Sequence, residues 1–269
     1  MNRNVFYVLA LVLTSPLIMM AQSAPPGYRR ITCLKVQPGK QAELTQFQND
    51  IWKKLVQREV DEGEASAAYL LRTVFPGGEE AYCDYITVIA YADIPPSPPG
   101  PEHLAGLLKK AGLDMTVDAY YAKVRELERV VASELWRPLI IVGTAQKGDF
   151  LYLNFMKVHD MPTYQGFEQN VWKQMAEAFI KEGIMRGWFV MVPFLPSGTA
   201  GYQAVSVDGF PSWAQAVKGI YDVEADTFKR VHPDLQLSDF EGKLVKARDL
   251  DHRYLVTVEE RIVPSSAQR

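Results

Sequence analysis

Histidine is the side chain best suited to proton transfer near neutral pH, and its spread along this 269-residue chain is uneven: His103 in the first half, His159, His232 and His252 in the second. His159 follows the strand-like Lys157-Val158 and His232 precedes Pro233, positions from which an imidazole could reach the mouth of a cavity or simply sit in solvent. Trp52 and Trp172 either line two related pockets or finish the packing of a helix, one residue beyond the apolar Ile51 and Val171. Asn154, Arg72, Tyr69 and Tyr85 are polar or amphipathic residues on strand-like segments, able to point into a core. The candidate ligand-binding set is therefore Asn154, His159, Trp172, Trp188, Arg72 and Tyr85. No catalytic residue is assigned. No His-Glu-x-x-His, Cys-x-x-Cys, Gly-x-Ser-x-Gly or glycine-rich phosphate loop occurs, so no metal site is expected.

These residues sit on a repeat. Phe47, Trp52, Lys53, Glu62, Gly63, Pro76, Gly78 and Tyr82 recur as Phe167, Trp172, Lys173, Glu182, Gly183, Pro196, Gly198 and Tyr202, each pair 120 residues apart. Lys123 and Lys243 extend the correspondence. Lys53 and Lys173 read as surface lysines with buried stems, and Glu62-Gly63 and Glu182-Gly183 as helix ends rather than acid catalysts.

The first residues combine Arg3, an apolar run from Val5 to Met20 broken by Ser15 and Pro16, and the small Ala21, Ser23 and Ala24. Residues 1–23 are expected to be a cleaved export signal, since the run falls short of the ~20 residues that a spanning helix needs. The expected location is secreted or periplasmic, without a stable membrane span. Cleavage removes one of the 29 basic residues, leaving 28 against 32 acidic ones. Nothing in that balance suggests a nucleic-acid partner.

In chain order, Tyr28–Val36 alternates as a strand, and Gln41 to Glu62 carries apolar residues at helical spacing (Leu44, Phe47, Ile51, Leu55, Val56). Residues 68–75 and 82–91 form a hairpin around Pro76-Gly77-Gly78, a Pro-rich loop follows, and helices are expected near 104–113 and 117–133. Residues 135–145 read as a strand whose Pro138 suits an edge or a bulge. The second half repeats the order: strand 150–158, helix 164–182, strands 187–194 and 202–209, helical pieces 212–223 and 238–249, and closing strand 254–263. The βαββαβ order is the ferredoxin-like unit, one antiparallel sheet with both helices on one face. The fold class is α+β: repeat 1 over residues 24–146, repeat 2 over 147–263, a tail over 264–269. Two such units can bury their open sheet faces against each other in a barrel.

With Leu34 to Lys40 (LKVQPGK) leading to Phe47 and Trp52, and Met156 to Pro162 (MKVHDMP) leading to Phe167 and Trp172, the chain resembles the dimeric α+β-barrel superfamily in tandem form, similar to antibiotic-biosynthesis-monooxygenase-like and NIPSNAP-like domains. The resemblance covers nearly the whole mature chain. It implies a range of activities, from cofactor-independent oxygenation to haem binding and degradation, and fold does not choose among them. Asn154 with Trp172 or Trp188 and a histidine resembles the Asn, Trp and His set of haem-degrading members, though the spacing does not match; the cofactor stays open, with haem as one option. The leading expectation is a protein that binds a small apolar or aromatic molecule between the sheets. The alternatives are a cofactor-independent monooxygenase or haem-linked enzyme, and a structural module with a filled barrel.

Cys33 and Cys83, the chain's two cysteines, could be buried thiols or, after export, a disulfide. In a ferredoxin-like sheet they fall on neighbouring antiparallel strands, and a bridge is the expectation. The matching second-half positions on this reading are Phe155 and Gln203.

Overall fold

A computed structural model of the protein describes residues 27–79, 81–95, 100–196, 198 and 200–268; the expected export signal lies outside them. Eight strands form a closed barrel: β1 (Tyr28–Val36), β2 (Ala67–Phe75), β3 (Tyr85–Tyr91), β4 (Glu128–Gly143), β5 (Phe150–Val158), β6 (Gly187–Leu195), β7 (Ala204–Phe210) and β8 (Arg248–Ile262). Around the barrel the order is β1-β3-β2-β8-β5-β7-β6-β4. Each repeat thus supplies a four-stranded ferredoxin-like sheet, and the β2–β8 and β4–β6 ladders close the seams between repeats. Closure leaves no open sheet edge.

Strand alternation sorts the side chains. On β5, Leu151, Leu153 and Phe155 point into the barrel with Ile31, Cys33, Val207 and Val256, while Tyr152 and Met156 pack outward against the helices of repeat 2. Each repeat's first long helix is interrupted by one π-helical turn. In repeat 1 α1 (Gln41–Phe47) and α2 (Lys53–Asp61) flank Gln48–Trp52; in repeat 2 α5 (Met161–Phe167) and α6 (Lys173–Lys181) flank Glu168–Trp172. Both helices end at a glycine with positive φ, Gly63 at 78° and Gly183 at 72°, the left-handed conformation that only glycine adopts freely. The remaining helices are α3 (Pro101–Lys110) and α4 (Val117–Leu127) in repeat 1, and α7 (Trp213–Lys218), α8 (Glu224–Val231) and α9 (Leu237–Ala247) in repeat 2. No helix among the described residues is long and apolar enough to cross a membrane.

Several boundaries differ from the sequence reading. β4 and β8 begin at Glu128 and Arg248, where helices were expected to continue to Ser133 and Asp249; helical spacing in these stretches yields to pairing with β1 and β5. α8 covers residues to which the sequence reading gave no element. β3 starts at Tyr85, three residues later than expected, because Tyr82 and Cys83 belong to the turn before it. Pro138 sits beside a register shift between Pro138 and Ile140 in the β4–β6 ladder, and the β1 ladder stops at Trp136, so its missing N–H interrupts neither.

Cys33 and Cys83 form a disulfide with Cα atoms 5.3 Å apart. The second-repeat counterpart of Cys83 is Tyr202, not Gln203. The Asp84 N–H donates to the Leu34 carbonyl and the Gln203 N–H to the Met156 carbonyl, while Asp84 and Gln203 side chains accept from Val36 and Val158 in the same way. The second hairpin is one residue shorter, which sequence spacing alone hides. Where repeat 1 has its bridge, repeat 2 packs Phe155 edge-on to Tyr202, centroids 4.7 Å apart.

Candidate functional site

Two cavities are built from these elements. The larger, about 420 Å³, is the barrel lumen. Its wall is largely apolar, with Ile31, Leu71, Ile86, Leu153, Val207 and Met191 among the lining residues. A polar group is set into that wall by β4 and the turn before β7: the buried Glu134 carboxylate accepts from Trp136 Nε1 at 2.7 Å and from Tyr202 Oη at 2.6 Å. Burial, and then the bond to Glu134, push the Tyr202 phenol well above its ordinary range, so it remains a donor. His252 lines the same wall, stacked on Phe155 at 4.2 Å with Nδ1 2.7 Å from Asp251 Oδ2. Arg29 and Tyr69 line it too.

The smaller cavity, about 240 Å³, lies in the second repeat between the outer face of the sheet and the helices. Tyr152, Trp172, Trp188 and Phe210 are among its walls. Asn154 Nδ2 donates to Asp208 Oδ2 (2.8 Å) and Ser206 Oγ (3.3 Å), and Asn154 Oδ1 accepts from Arg253 Nε. Arg253 also lies over the Tyr152 ring, 5.2 Å from its centroid. Glu168, 3% exposed, opens the π turn and faces this cleft; burial raises its pKa to about 7, against the smaller opposing effects of Tyr164 and Arg248. Burial likewise raises Asp208, with the Asn154 bond opposing. Arg248 Nε is buried without a hydrogen-bond partner.

Repeat 1 fills the corresponding space differently. The ladders match Thr32–Thr87 to Asn154–Ser206 and Ile89 to Asp208. Ala68, opposite Ile89, corresponds to Trp188, opposite Asp208, and both Ala68 and Ile89 belong to one apolar cluster. Helix positions Leu44 and Gln48 become Tyr164 and Glu168. The polar cleft belongs to repeat 2.

Of the residues singled out from sequence, Asn154, Trp172 and Trp188 meet in the cleft. Asn154 therefore faces the helices rather than the lumen, because its neighbours Leu153 and Phe155 take the inward positions. His159 is exposed and paired with Asp249 (2.8 Å), outside both cavities. Arg72 is exposed, its Nε 2.6 Å from Glu259 across the β2–β8 seam. Tyr85 is buried on the helix side, its hydroxyl accepting from Gln41 at 2.6 Å. His232 is buried under α8 rather than at a barrel mouth, with Nε2 3.2 Å from the Val171 carbonyl, and His103 pairs with Glu64. Trp52 packs between helix and sheet. Tyr69 does reach the lumen. Sequence reading missed Arg29, Glu134, Trp136 and Tyr202 in the lumen and Glu168, Asp208, Arg248 and Arg253 in the cleft. Glu168 had one legible signal: it lies four residues after Tyr164 on the buried stripe of its helix, where the repeat has Gln48.

Among the described residues no histidine lines the cleft, and the lumen's His252 stacks on Phe155 with Nδ1 held by Asp251 Oδ2, an arrangement that orients the ring and engages one of its two nitrogens.

No protein-family model matches the chain, and no curated protein matches its sequence. Solved structures do match its fold. A "putative monooxygenase" from Lactobacillus acidophilus NCFM aligns with a TM-score of 0.53 at 10% identity, over 89% of this chain and 96% of its own. A second protein so named, from Fusobacterium nucleatum, aligns with a TM-score of 0.53 at 10% identity over 88% and 94%. An anthrone oxidase-like protein gives 0.49 at 12% identity, over 87% and 92%. At such identities the likeness is one of architecture: this chain has the dimeric α+β-barrel fold, with both ferredoxin-like halves on one polypeptide.

Proposed function

We propose that this protein binds a small apolar or aromatic molecule in the barrel lumen, and that it does so outside the cytoplasm. The observation carrying the binding reading is the largely apolar lumen of about 420 Å³ with a built polar group, the Glu134–Trp136–Tyr202 set, in its wall. That volume is in the few-hundred-Å³ range of small-molecule sites and argues against a filled structural barrel. The Cys33–Cys83 bridge supports an oxidising compartment. The test is titration with the neutral fluorescent probe N-phenyl-1-naphthylamine. Saturable binding at one site per chain, abolished by Ala132→Phe in the lumen wall with the fold intact, is expected; unsaturable binding or indifference to Ala132→Phe refutes the reading.

The cleft favours a second reading, a cofactor-independent monooxygenase. Glu168 could take a proton from a small organic acid held between Trp172 and Trp188, with Arg248 and Arg253 beside the resulting anion. Oxygen uptake with aromatic enol or phenol substrates, lost in Glu168→Gln, would favour it. No uptake across such a panel would remove it.

A further inference from the structure

Arg29 is the third residue of the lumen's β1 wall counting back from Cys33 along the inward-facing positions Cys33, Ile31 and Arg29. Its Nη1 donates to the Tyr28 carbonyl at 2.8 Å and to the Tyr91 carbonyl at 3.4 Å. These carbonyls belong to facing residues at the end of the β1–β3 ladder, so they hold the guanidinium at one end of the lumen. Two backbone carbonyls use part of a five-donor head and supply no counter-charge. Among the described residues no carboxylate lies within 4.0 Å of it.

The neighbouring charges are turned elsewhere. Arg30 alternates to the outer face, its guanidinium 5.6 Å from the Tyr91 ring centroid. Glu134, opposite Ile31 on β4, is directed to Trp136 Nε1 and Tyr202 Oη. Burial, with no opposing carboxylate, depresses the Arg29 pKa. A half-buried guanidinium facing an apolar cavity without an anion is unfavourable in the empty protein. It becomes favourable when the cavity's occupant brings the anion, and a planar fork suits a carboxylate best.

Resting on the lumen reading above, we propose that the ligand is a small amphipathic carboxylic acid, its apolar or aromatic body in the lumen and its carboxylate on Arg29. The apolar stretch formed by Ile31, Leu71, Ile86 and Val88 would receive the body.

The experiment uses a matched pair, 4-phenylbutyrate and 4-phenyl-1-butanol, titrated calorimetrically into the full mature chain, Arg29→Met and Arg29→Lys. The acid is expected to bind about tenfold more tightly than the alcohol, the margin of a charge-assisted hydrogen bond. Arg29→Met should erase that margin and leave alcohol affinity within about twofold, while Arg29→Lys keeps part of it. Equal binding of acid and alcohol by the wild type, or equal weakening of both by Arg29→Met, overturns the carboxylate inference and leaves the lumen reading standing. Failure of both ligands to bind a normally folded wild type, together with failure of N-phenyl-1-naphthylamine, overturns both. Thermal melting of each variant verifies folding.

Discussion

Replacing Glu168 by glutamine gives repeat 2 the residue that repeat 1 already carries at Gln48, in the same π turn. The glutamate is buried at the wall of the cleft, and its pKa rises from 4.5 to about 7 chiefly because burial penalises the charged form. A folded-state value above the unfolded one means stability is fullest below about pH 4.5, declines as pH rises through 7, and is flat beyond. At 1.36 kcal/mol per pH unit the 2.5-unit difference amounts to roughly 3 kcal/mol of destabilisation by the ionised group above pH 8. Glu168→Gln should therefore match the wild type near pH 4.5 and exceed it by about 2–4 kcal/mol at pH 8. Glu128, also raised to about 7 by burial, imposes its own slope on both proteins. The informative quantity is thus the difference between the two curves. Urea unfolding followed by circular dichroism at several pH values measures it. A difference that stays constant between pH 4.5 and 8 would refute the assignment of a buried, titrating carboxyl to this position.

Cys33→Ala with Cys83→Ala removes a bridge spanning 50 residues, which in the chain-entropy model costs about 4 kcal/mol, read as a fall in denaturation midpoint. Loss below about 1 kcal/mol would mean that the ladders around β1 already provide the constraint. Tyr202→Phe removes a donor from Glu134 and should cost about 1–3 kcal/mol while leaving the Phe155 contact in place; an unchanged urea midpoint would contradict the Glu134 network. Trp188→Ala, which restores the residue of repeat 1, should destabilise by about 3–5 kcal/mol because Trp188 is 3% exposed; a loss under 1 kcal/mol would show that the cleft collapses around it.

The tandem barrel was legible because its determinants are local and duplicated: strand alternation at Leu151, Leu153 and Phe155, helical spacing from Leu44 to Val56, and glycines closing both long helices. Boundaries failed where tertiary pairing overrode local spacing, as at Glu128 and Arg248, each entering a long strand directly from a helix. The site was legible only in part. Asn154, Trp172 and Trp188 share the cleft because strand and helix periodicity brings them there, yet the side of the sheet was ambiguous until Leu153 and Phe155 were placed inward. Glu134 and Tyr202 meet across 68 residues and Arg29 is distinguished by what it lacks, neither of which leaves a mark in sequence spacing. The missing residue in the second hairpin shifted the counterpart of Cys83 by one, hiding the exchange of a disulfide for the Phe155–Tyr202 pair.

The central claim, that the lumen is a binding site, is tested most directly by a crystal structure of the protein soaked with 4-phenyl-1-butanol. The neutral ligand makes the test independent of the role given to Arg29. The account predicts ligand density inside the barrel, against Ile31, Leu153 and Trp136. Density only in the cleft beside Glu168, or a lumen closed by its own side chains, would contradict it.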